Sequence, residues 1–333
     1  MTEVLSDAIR TFTYPFIHDT YRYSTNVEKA GVEQKTEVGS WGGTILNVTD
    51  EYHHEIAERA RVMARDDSRY AVLPHMYPAS WDGARHLMRL AAQEFPEHFQ
   101  LEEEGDSLHW HNSLLGIDDT FRYGDDASLP MPPLEYIGRQ LGEDIVLMDE
   151  REGHLWVDAG LVTFAAGWSL AFNVGMDFQR MHGPVPRAVP EGVFVRAEQF
   201  LLRLQPGDDH RRLNWVFQPD RHLDLGMNSY PDWLPSIMSF MDDIGDDEFA
   251  DRVHIRIEIQ HFIRLAESNA VMFLISTRLL SLRDLARVPS WARQTLSVVE
   301  EVPQDMVDYK GMTDIRPAIV KWLTEYVARL DEE

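Results

Sequence analysis

Histidines and carboxylates are the residues of this sequence that could do chemistry, because the 333-residue chain has 14 His and no Cys. The lack of cysteine excludes disulfides, thiolate nucleophiles and cysteine-ligated iron–sulfur clusters within this chain. A bound metal would therefore have to be held by His, Asp, Glu, Tyr or Met. That requirement directs attention to the spacing of the histidines.

One histidine lies just before a stretch of backbone that glycine and proline make stiff. It is His182, in the run MHGPVP at positions 181–186. The prolines fix their own φ angles, so a loop of this kind can present a single side chain without a helix to hold it. Metal ligation is one interpretation of this pattern, and a plain turn residue is the other. The run by itself leaves both open.

A second arrangement would suit non-heme iron, which takes two histidines and one carboxylate on one side of the metal. His222 and Asp224 have the His-x-Asp spacing of such a site, and His254 or His261 would supply the distant histidine. With 56 acidic residues in the chain, chance alone gives 14 histidines about two pairs with this spacing. A non-heme Fe(II) dioxygenase built on this pair is therefore kept as an alternative function.

The clearest periodicity is an alternation of apolar and polar residues over 253–260, of sequence VHIRIEIQ. A period of two predicts a strand whose isoleucines face one side. Its other side carries Arg256 and Glu258, and a strand predicted at 212–217 would bring Arg212 beside them. Two arginines, a glutamate and aromatic side chains would suit a planar cofactor with carboxylates and a cationic substrate. The alternative is a solvated sheet face with a cross-strand ion pair.

The order of the helices and strands that must position these residues predicts an α+β chain, with helices first, a mostly antiparallel sheet in the second half and helices last. We treat residues 1–333 as a single domain with an N-terminal wrap (1–48), a core at 40–290 and C-terminal helices (289–330). Helices are predicted at 50–66, 81–95, 192–204, 291–299 and 314–330. Strands are predicted at 99–102, 108–112, 155–164, 212–217, 253–260 and 270–276, with a turn at 267–269 and a loop at 123–133.

The overall charge is strongly negative, since 31 Lys and Arg face 56 Asp and Glu, a net charge of −25. Such a surface repels phosphate backbones and anionic membranes, so neither nucleic acid nor a membrane is expected as a partner. The N-terminus lacks the basic and apolar regions of a signal peptide, and no transmembrane helix is expected, which favours a cytoplasmic location. The acidic run at 242–251 is expected to be a solvated loop or a helix end.

An ordered series of short motifs runs along the chain. It comprises Gly167-Trp168, MHGPVP at 181–186, Arg212-x-Asn214-Trp215, Arg256-x-Glu258-x-Gln260 and Arg264-Leu265, preceded by DEY at 50–52, Glu58-Arg59 and Glu143-Asp144-Ile145. This series resembles the heme-dependent oxidative N-demethylase family over roughly 40–290, and an ordered set is more specific than any single motif. One position departs from the family pattern, because Ile259 stands where an arginine is expected.

The resemblance implies a PAS-like heme-binding antiparallel sheet with flanking N- and C-terminal helices. It implies one heme b whose iron is bound by His182 and whose propionates are held by Arg212 and Arg256. The other residues expected around the cofactor are Trp168, Asn214 and Trp215. For each arginine, an ion pair on the sheet face is the alternative role.

The resemblance also implies a monooxygenase that oxidises a small alkylamine with O2, typically dimethylamine to methylamine and formaldehyde. Electrons would come from NADPH through separate reductase subunits that carry flavin and an iron–sulfur cluster. Two features of the sequence fit this division of labour. The chain has no cysteine to hold such a cluster, and it has neither a GxGxxG sequence after a strand nor a P-loop to bind a nucleotide.

Two carboxylates are candidates for the catalytic role. We expect Glu258 to anchor the alkylammonium or to take its proton before oxidation, provided that its surroundings allow proton uptake. A structural ion pair with Arg256 or Arg212 is the alternative for this residue. Asp144 is the second candidate, and a helix cap or a loop contact is the alternative for it. A PAS-type heme sensor without catalysis remains an alternative function, because a fold does not set a function.

Overall fold

The structure is a computed structural model that describes residues 5–188, 190–243 and 246–332, without the side chains of 241–247. Its helices are α1 (Asp7–Arg10), α2 (Tyr52–Met63), α3 (Tyr77–Glu94), α4 (Pro133–Gly138), α5 (Leu170–Asn173), α6 (Phe178–Met181), α7 (Val193–Leu202), α8 (Tyr230–Asp243), α9 (Asp246–Arg252), α10 (Leu282–Ala286), α11 (Pro289–Glu301), α12 (Gln304–Tyr309) and α13 (Arg316–Glu332). Its strands are β1 (Glu28–Lys29), β2 (Gln34–Lys35), β3 (Ser40–Trp41), β4 (Tyr70–Val72), β5 (Phe99–Glu104), β6 (Ser107–Asn112), β7 (Ile117–Arg122), β8 (Asp144–Arg151), β9 (His154–Leu161), β10 (Met176–Asp177), β11 (His210–Pro219), β12 (Val253–Arg264) and β13 (Val271–Ser281).

The main sheet has the strand order β1-β11-β12-β13-β8-β9-β10, and β4 also pairs with β9. The pairs within this sheet are antiparallel, and Arg212 lies opposite Gln260 while Asn214 lies opposite Glu258. The mixed helix and antiparallel sheet confirms the α+β prediction. It also confirms that the strand at 212–217 runs beside the strand at 253–260.

The two sides of β12 are covered by different parts of the chain. Ile255, Ile257 and Ile259 belong to a buried cluster that includes Trp291 of α11 and Leu323 of α13. The polar side is also buried, because every residue from Val253 to Arg264 has little solvent exposure. The alternative interpretation of this side as a solvated sheet face is therefore wrong.

The polar side of β12 is covered by the segment that runs from the end of β9 to α7. Phe262 packs in one cluster with Phe178 of α6 and Leu201 of α7. Arg264 anchors the end of α7 by donating from Nη2 to the Leu201 carbonyl at 3.0 Å and from Nε to the Leu204 carbonyl at 3.1 Å. Polar residues on this side therefore lie in a protein interior, where an unpaired charge is costly.

The N-terminal segment is more than a surface wrap. Ile9, Phe12 and Tyr14 are buried in the cluster under the sheet. The ring of Tyr14 stacks on Trp291 with 4.5 Å between centroids, and its hydroxyl donates to the Trp291 carbonyl at 3.1 Å. The segment at 1–48 is therefore part of the core where it meets α11, and it reaches the polar side of the sheet further along, at residues 23–25.

Several predicted elements differ from the observed ones in their bounds. β12 and β13 each run beyond the predicted segments 253–260 and 270–276, whereas the strand predicted at 155–164 already ends at Leu161. β8 was not predicted as a strand. Asp144 is its first residue, so Asp144 is neither a helix cap nor a loop residue.

The acidic run at 242–251 forms the end of α8 and most of α9, which confirms a helix end. Residues 244 and 245 lie outside the described part of the chain. Among the helices that the structure describes, none is long and apolar enough to cross a membrane.

Candidate functional site

The loop that carries His182 is short and held from within. Asp177 caps α6 by accepting a hydrogen bond from the Arg180 amide at 2.9 Å. His182 follows α6 directly, and its carbonyl accepts from the Val185 amide at 3.1 Å. A tight turn of this kind, followed by prolines, fixes the direction of the imidazole.

The imidazole of His182 has one nitrogen committed and one nitrogen available. Nδ1 lies 2.7 Å from the Phe178 carbonyl, so Nδ1 carries the proton and Nε2 carries the lone pair. No hydrogen bond among the described residues uses Nε2. The ring lies between Phe178 and Phe194, with centroids 4.3 Å and 4.2 Å away. Burial lowers the pKa of His182 to about 4, so the side chain is neutral and can bind a metal near pH 7.

Two other segments hold the His182 loop from outside. The Tyr23 hydroxyl donates to the Pro186 carbonyl at 2.9 Å. Arg187, with a left-handed φ of 64°, makes a bidentate pair with Asp305 of α12 at 2.7 Å and 2.8 Å. The N-terminal segment and the C-terminal helices therefore both contribute to the placement of His182.

A set of five polar side chains lies on the buried side of β11 and β12 and at the end of α12. We call it the polar cluster, and it consists of Arg212, Asn214, Glu258, Gln260 and Lys310. The cluster is electrostatically linked to the His182 loop, since Arg212 is close enough to contribute to the lowered pKa of His182. The sheet register brings the first four together, which confirms the prediction that Arg212 lies on the strand next to Glu258.

Glu258 is the carboxylate of this cluster and is only 7% exposed. Its Oε2 accepts hydrogen bonds from Gln260 Nε2 at 2.9 Å and from Asn214 Nδ2 at 3.3 Å. Its Oε1 accepts from Nε of Arg256 at 3.4 Å, so the ion pair that the sequence analysis considered is present. An ionised carboxylate has about four acceptor positions, so three protein donors leave room for one more N–H.

Arg256 is fully buried and its guanidinium is directed at protein groups. Nη1 donates to the Leu223 carbonyl at 2.9 Å, and Nη2 donates to the Phe164 carbonyl and to Oγ1 of Thr277, the latter at 3.1 Å. Together with the bond to Glu258, these contacts occupy four of the five N–H groups. Arg256 therefore ties two loops to the sheet and supports Glu258 from behind.

Asp144 lies outside the polar cluster but is connected to it through the backbone. Its carboxylate accepts from the amides of Thr163 and Phe164 at 2.8 Å and 2.9 Å, and Arg59 lies 3.3 Å away. Burial raises the pKa of Asp144, and the nearby Arg59 acts in the opposite direction. Because the Phe164 carbonyl is the acceptor for Arg256, Asp144 influences the polar cluster by holding that loop.

Arg212 keeps part of its guanidinium free. Nε donates to the Thr25 carbonyl at 3.1 Å and Nη1 donates to Oε1 of Gln260 at 3.1 Å. None of the hydrogen bonds in the described part of the chain uses Nη2. Trp215 and Trp168 are both half-buried. Trp168 packs on the same apolar cluster as Phe178, whereas Trp215 packs on the cluster of the β12 isoleucines and not beside the His182 loop.

Lys310 belongs to the polar cluster although the sequence analysis did not select it. Its Nζ donates to Oδ1 of Asn214 at 3.2 Å and to the Trp215 carbonyl, and it lies 4.9 Å from the centroid of the Trp215 ring. Burial lowers the pKa of Lys310 to about 8, Arg212 lowers it as well, and Glu258 opposes them. A single lysine far along the chain carries no sequence signal for such a position.

The residues of the non-heme alternative are not brought together. Asp224 forms a bidentate pair with Arg69 at 3.1 Å and 2.9 Å, in the wall of a cleft of about 630 Å³ that His222 also lines. Nε2 of His222 instead lies 3.4 Å from the Ser236 hydroxyl. Nδ1 of His254 donates to a backbone carbonyl at 2.9 Å.

A different group of side chains has metal-like spacing. In the described residues, His75, Asp149 and Asp158 are the His and carboxylate groups close enough to share an ion. Both carboxylates already bind the guanidinium of Arg151, which supplies the positive charge there. This group is therefore an ion-pair network that involves the β8–β9 hairpin, and it does not include His222 or Asp224.

The chain matches a known protein-family model over most of its length. A family model described as "Haem-dependent oxidative N-demethylase, alpha subunit-like" matches residues 39–320. The matched region is well over half of the chain and contains His182 and all of the polar cluster. The match supports a haem-dependent oxidative N-demethylase-like function, and the words "alpha subunit" indicate an oxygenase of several subunits.

Proposed function

We propose that this chain, which belongs to the haem-dependent oxidative N-demethylase, alpha subunit-like family, binds one heme b through His182 and oxidises a small secondary amine. The observation that carries the proposal is the state of the His182 imidazole. It is neutral, its Nδ1 proton is held by the Phe178 carbonyl, and its Nε2 lone pair is uncommitted. A histidine that binds a metal commonly has its other nitrogen oriented in this way.

The residues around His182 fit the chemical needs of a heme. The macrocycle needs apolar and aromatic surface, which Phe178, Phe194 and Trp168 supply in one cluster. The two propionates need cationic donors, and Arg212 has an unused Nη2 near the His182 loop. A heme placed against one side of an antiparallel sheet would be the PAS-like arrangement that the family resemblance implies.

We assign different roles to the two arginines of the sheet. Arg212 is the proposed propionate ligand, with Asn214 beside it on the same side of β11, whereas Trp215 packs on the apolar cluster of the other side. Arg256 has four of its N–H groups bound to protein acceptors, so we propose that it positions Glu258 rather than binding a propionate. Charge-assisted hydrogen bonds of this kind fix orientation strongly.

When bound, the heme supplies the activation of O2 for attack at the methyl C–H bond of the amine. Glu258 holds the amine nitrogen, because one acceptor position of its carboxylate remains for a substrate N–H. Of the two roles expected for Glu258, we propose the anchoring of the ammonium, because three protein N–H groups already pair with its carboxylate. Gln260 and Asn214 keep the carboxylate in place from the side of Oε2.

The proposed reaction uses one O2 and two electrons for each amine. A secondary methylamine, O2, two electrons and two protons give a carbinolamine and water, and the carbinolamine releases formaldehyde and the primary amine. Dimethylamine would give methylamine. We propose that the electrons come from NADPH through partner subunits with flavin and an iron–sulfur cluster, since this chain has no cysteine to bind such a cluster.

We propose a positioning role for Asp144. Both of its carboxylate oxygens already accept backbone hydrogen bonds, and the residue is fully buried beside Arg59. Its expected contribution is to hold the Thr163–Phe164 turn against Arg256, and through Arg256 to hold Glu258.

Replacing His182 tests the proposal directly. The purified protein is expected to show a Soret band that shifts when dimethylamine is added, and His182→Ala should lose that band or change it strongly. His109→Ala is the matched control, because His109 lies on β6 in a surface pair with Asp118. A His182→Ala protein with the full wild-type spectrum would refute the ligand assignment.

Turnover separates the enzyme from a heme sensor. With a chemical or enzymatic electron donor, dimethylamine and O2, the enzyme is expected to produce formaldehyde and methylamine in equal amounts. A protein that binds heme and dimethylamine but forms no formaldehyde under these conditions would instead be a sensor.

A further inference from the structure

The positive charge of the polar cluster and of the adjoining Arg256 exceeds the negative charge there. Arg212, Arg256 and Lys310 contribute three cations around the single carboxylate of Glu258. Arg256 is committed to Glu258 and to backbone carbonyls. Arg212 and Lys310 remain, and two partly buried cations with unused donors call for anionic partners.

We propose that Lys310, together with Arg212, binds the two carboxylates of the cofactor, so that the C-terminal helices supply one of the two propionate ligands. This inference rests on the proposed function, because it concerns the same heme. It adds a cofactor-binding residue that lies outside the motifs of the sequence.

The donors of both side chains allow this role. The ammonium group of Lys310 has three N–H groups, of which two are used by Asn214 and by the Trp215 carbonyl. The guanidinium of Arg212 uses Nε and Nη1 for protein acceptors. One N–H of Lys310 and the Nη2 group of Arg212 are therefore available to carboxylate oxygens.

The charges also match the ligand. Three cations and one carboxylate leave a net charge of +2, and two propionates carry −2. A cationic amine by itself would increase the excess of positive charge, which low-dielectric surroundings penalise. The substrate ammonium therefore has a favourable place beside Glu258 only after the propionates have neutralised Lys310 and Arg212.

The C-terminal helices contact both ends of the proposed site. Asp305 at the start of α12 pairs with Arg187 in the loop that carries His182. Lys310, just after the end of α12, enters the polar cluster. The same short helix is thus placed to fix the axial ligand and one propionate ligand relative to each other.

A structural role for Lys310 is the competing explanation, because its contacts with Trp215 could serve only to dock α12. The two explanations predict different effects when the negative charges of the ligand are removed. Hemin has two free carboxylates, whereas its dimethyl ester has the same macrocycle and iron without the negative charges. A propionate contact is lost in the ester, and a structural contact is not.

The test is a Soret titration of the heme-free full-length protein with hemin and, separately, with hemin dimethyl ester. The variants are Lys310→Met and Arg212→Met, and Lys29→Met is the control because Lys29 forms a surface pair with Asp208. Hydrogen bonds to charged groups predict that Lys310→Met weakens hemin binding about 10- to 100-fold. Binding of the ester by this variant should match that of the wild type, which also shows that the variant is folded.

Two outcomes would overturn the inference. One is wild-type affinity of Lys310→Met for hemin, and the other is an equal loss of affinity for hemin and for its ester, which would indicate a structural residue. Lys310→Arg should recover most of the affinity for hemin but leave that for the ester unchanged. A wild-type protein that binds neither hemin nor its ester would refute the proposed function itself. The wild-type titration shows this without any variant, so the two failures are distinguishable.

Discussion

Heme binding should depend on pH through Lys310, and the sign follows from its surroundings. In the heme-free protein, burial lowers the pKa of Lys310 to about 8, with Arg212 acting in the same direction and Glu258 against it. Two propionates beside the ammonium would raise its pKa in the complex. A group that holds its proton more tightly in the complex favours binding below its free-state pKa, and this contribution is lost as the pH rises.

The size of the effect follows from the fraction of Lys310 that is protonated. With a pKa of about 8, this fraction is about 0.9 at pH 7 and about 0.1 at pH 9. Hemin affinity should therefore fall about 10-fold between these values. Tyr309 and Tyr23 stay neutral across this range because burial raises their pKa above 10.

The assay is the same Soret titration, carried out at half-unit steps from pH 6.5 to about 9.5. Hemin dimethyl ester is titrated in parallel, because deprotonation of an iron-bound water affects both compounds and cancels in their ratio. Lys310→Arg keeps its charge throughout, so its ratio of hemin to ester affinity should stay flat. A wild-type ratio that is equally flat would refute the assignment of Lys310 as a propionate ligand.

Three further predictions concern the neighbouring groups. Glu258→Gln should keep the heme spectrum and slow formaldehyde production by about 10²- to 10⁴-fold, and wild-type turnover would move the catalytic role elsewhere. Arg59→Met leaves the buried Asp144 carboxylate without its cation, so the free energy of unfolding in urea should drop by about 3–5 kcal/mol, against about 1 kcal/mol or less for the more exposed Arg61→Met. His261 has neither nitrogen paired and a pKa lowered to about 3 by burial, so protonation of the unfolded chain below pH 6.5 destabilises the fold. His261→Leu should reduce the stability lost between pH 7 and pH 4.5 by about 2–3 kcal/mol, and an unchanged loss would contradict this cause.

The pairing of the two functional strands could be predicted from the sequence because the signal is local. The alternation over 253–260 defines a strand within eight residues, and the segment at 212–217 has the composition of a second strand. Side chains opposite each other on adjacent strands must meet. The sequence therefore predicts that Arg212 lies on the strand next to Arg256 and Glu258, and the register confirms it.

The burial of the polar side of β12 could not be predicted in the same way. Alternation with charged residues is the usual pattern of a half-solvated strand. Whether that side meets water depends on the segment between β9 and α7, which lies across it in space. The role of Asp144 follows from that covering segment, since it accepts from the Phe164 amide. The role of Arg256 follows from the same segment and from the loop after β11, since it donates to the carbonyls of Phe164 and Leu223.

By itself, the sequence determined the α+β class, the strand that carries Glu258, the stiff loop after His182 and the absence of any cysteine ligand. The commitment of Arg256 to Leu223 and Phe164 and the position of Lys310 in the polar cluster were decided only by tertiary structure. The physical reason is the range of the interactions. Periodicity and backbone stiffness act over a few residues, whereas Lys310 and Asn214 are 96 positions apart and meet only through the packing of α12 against the sheet.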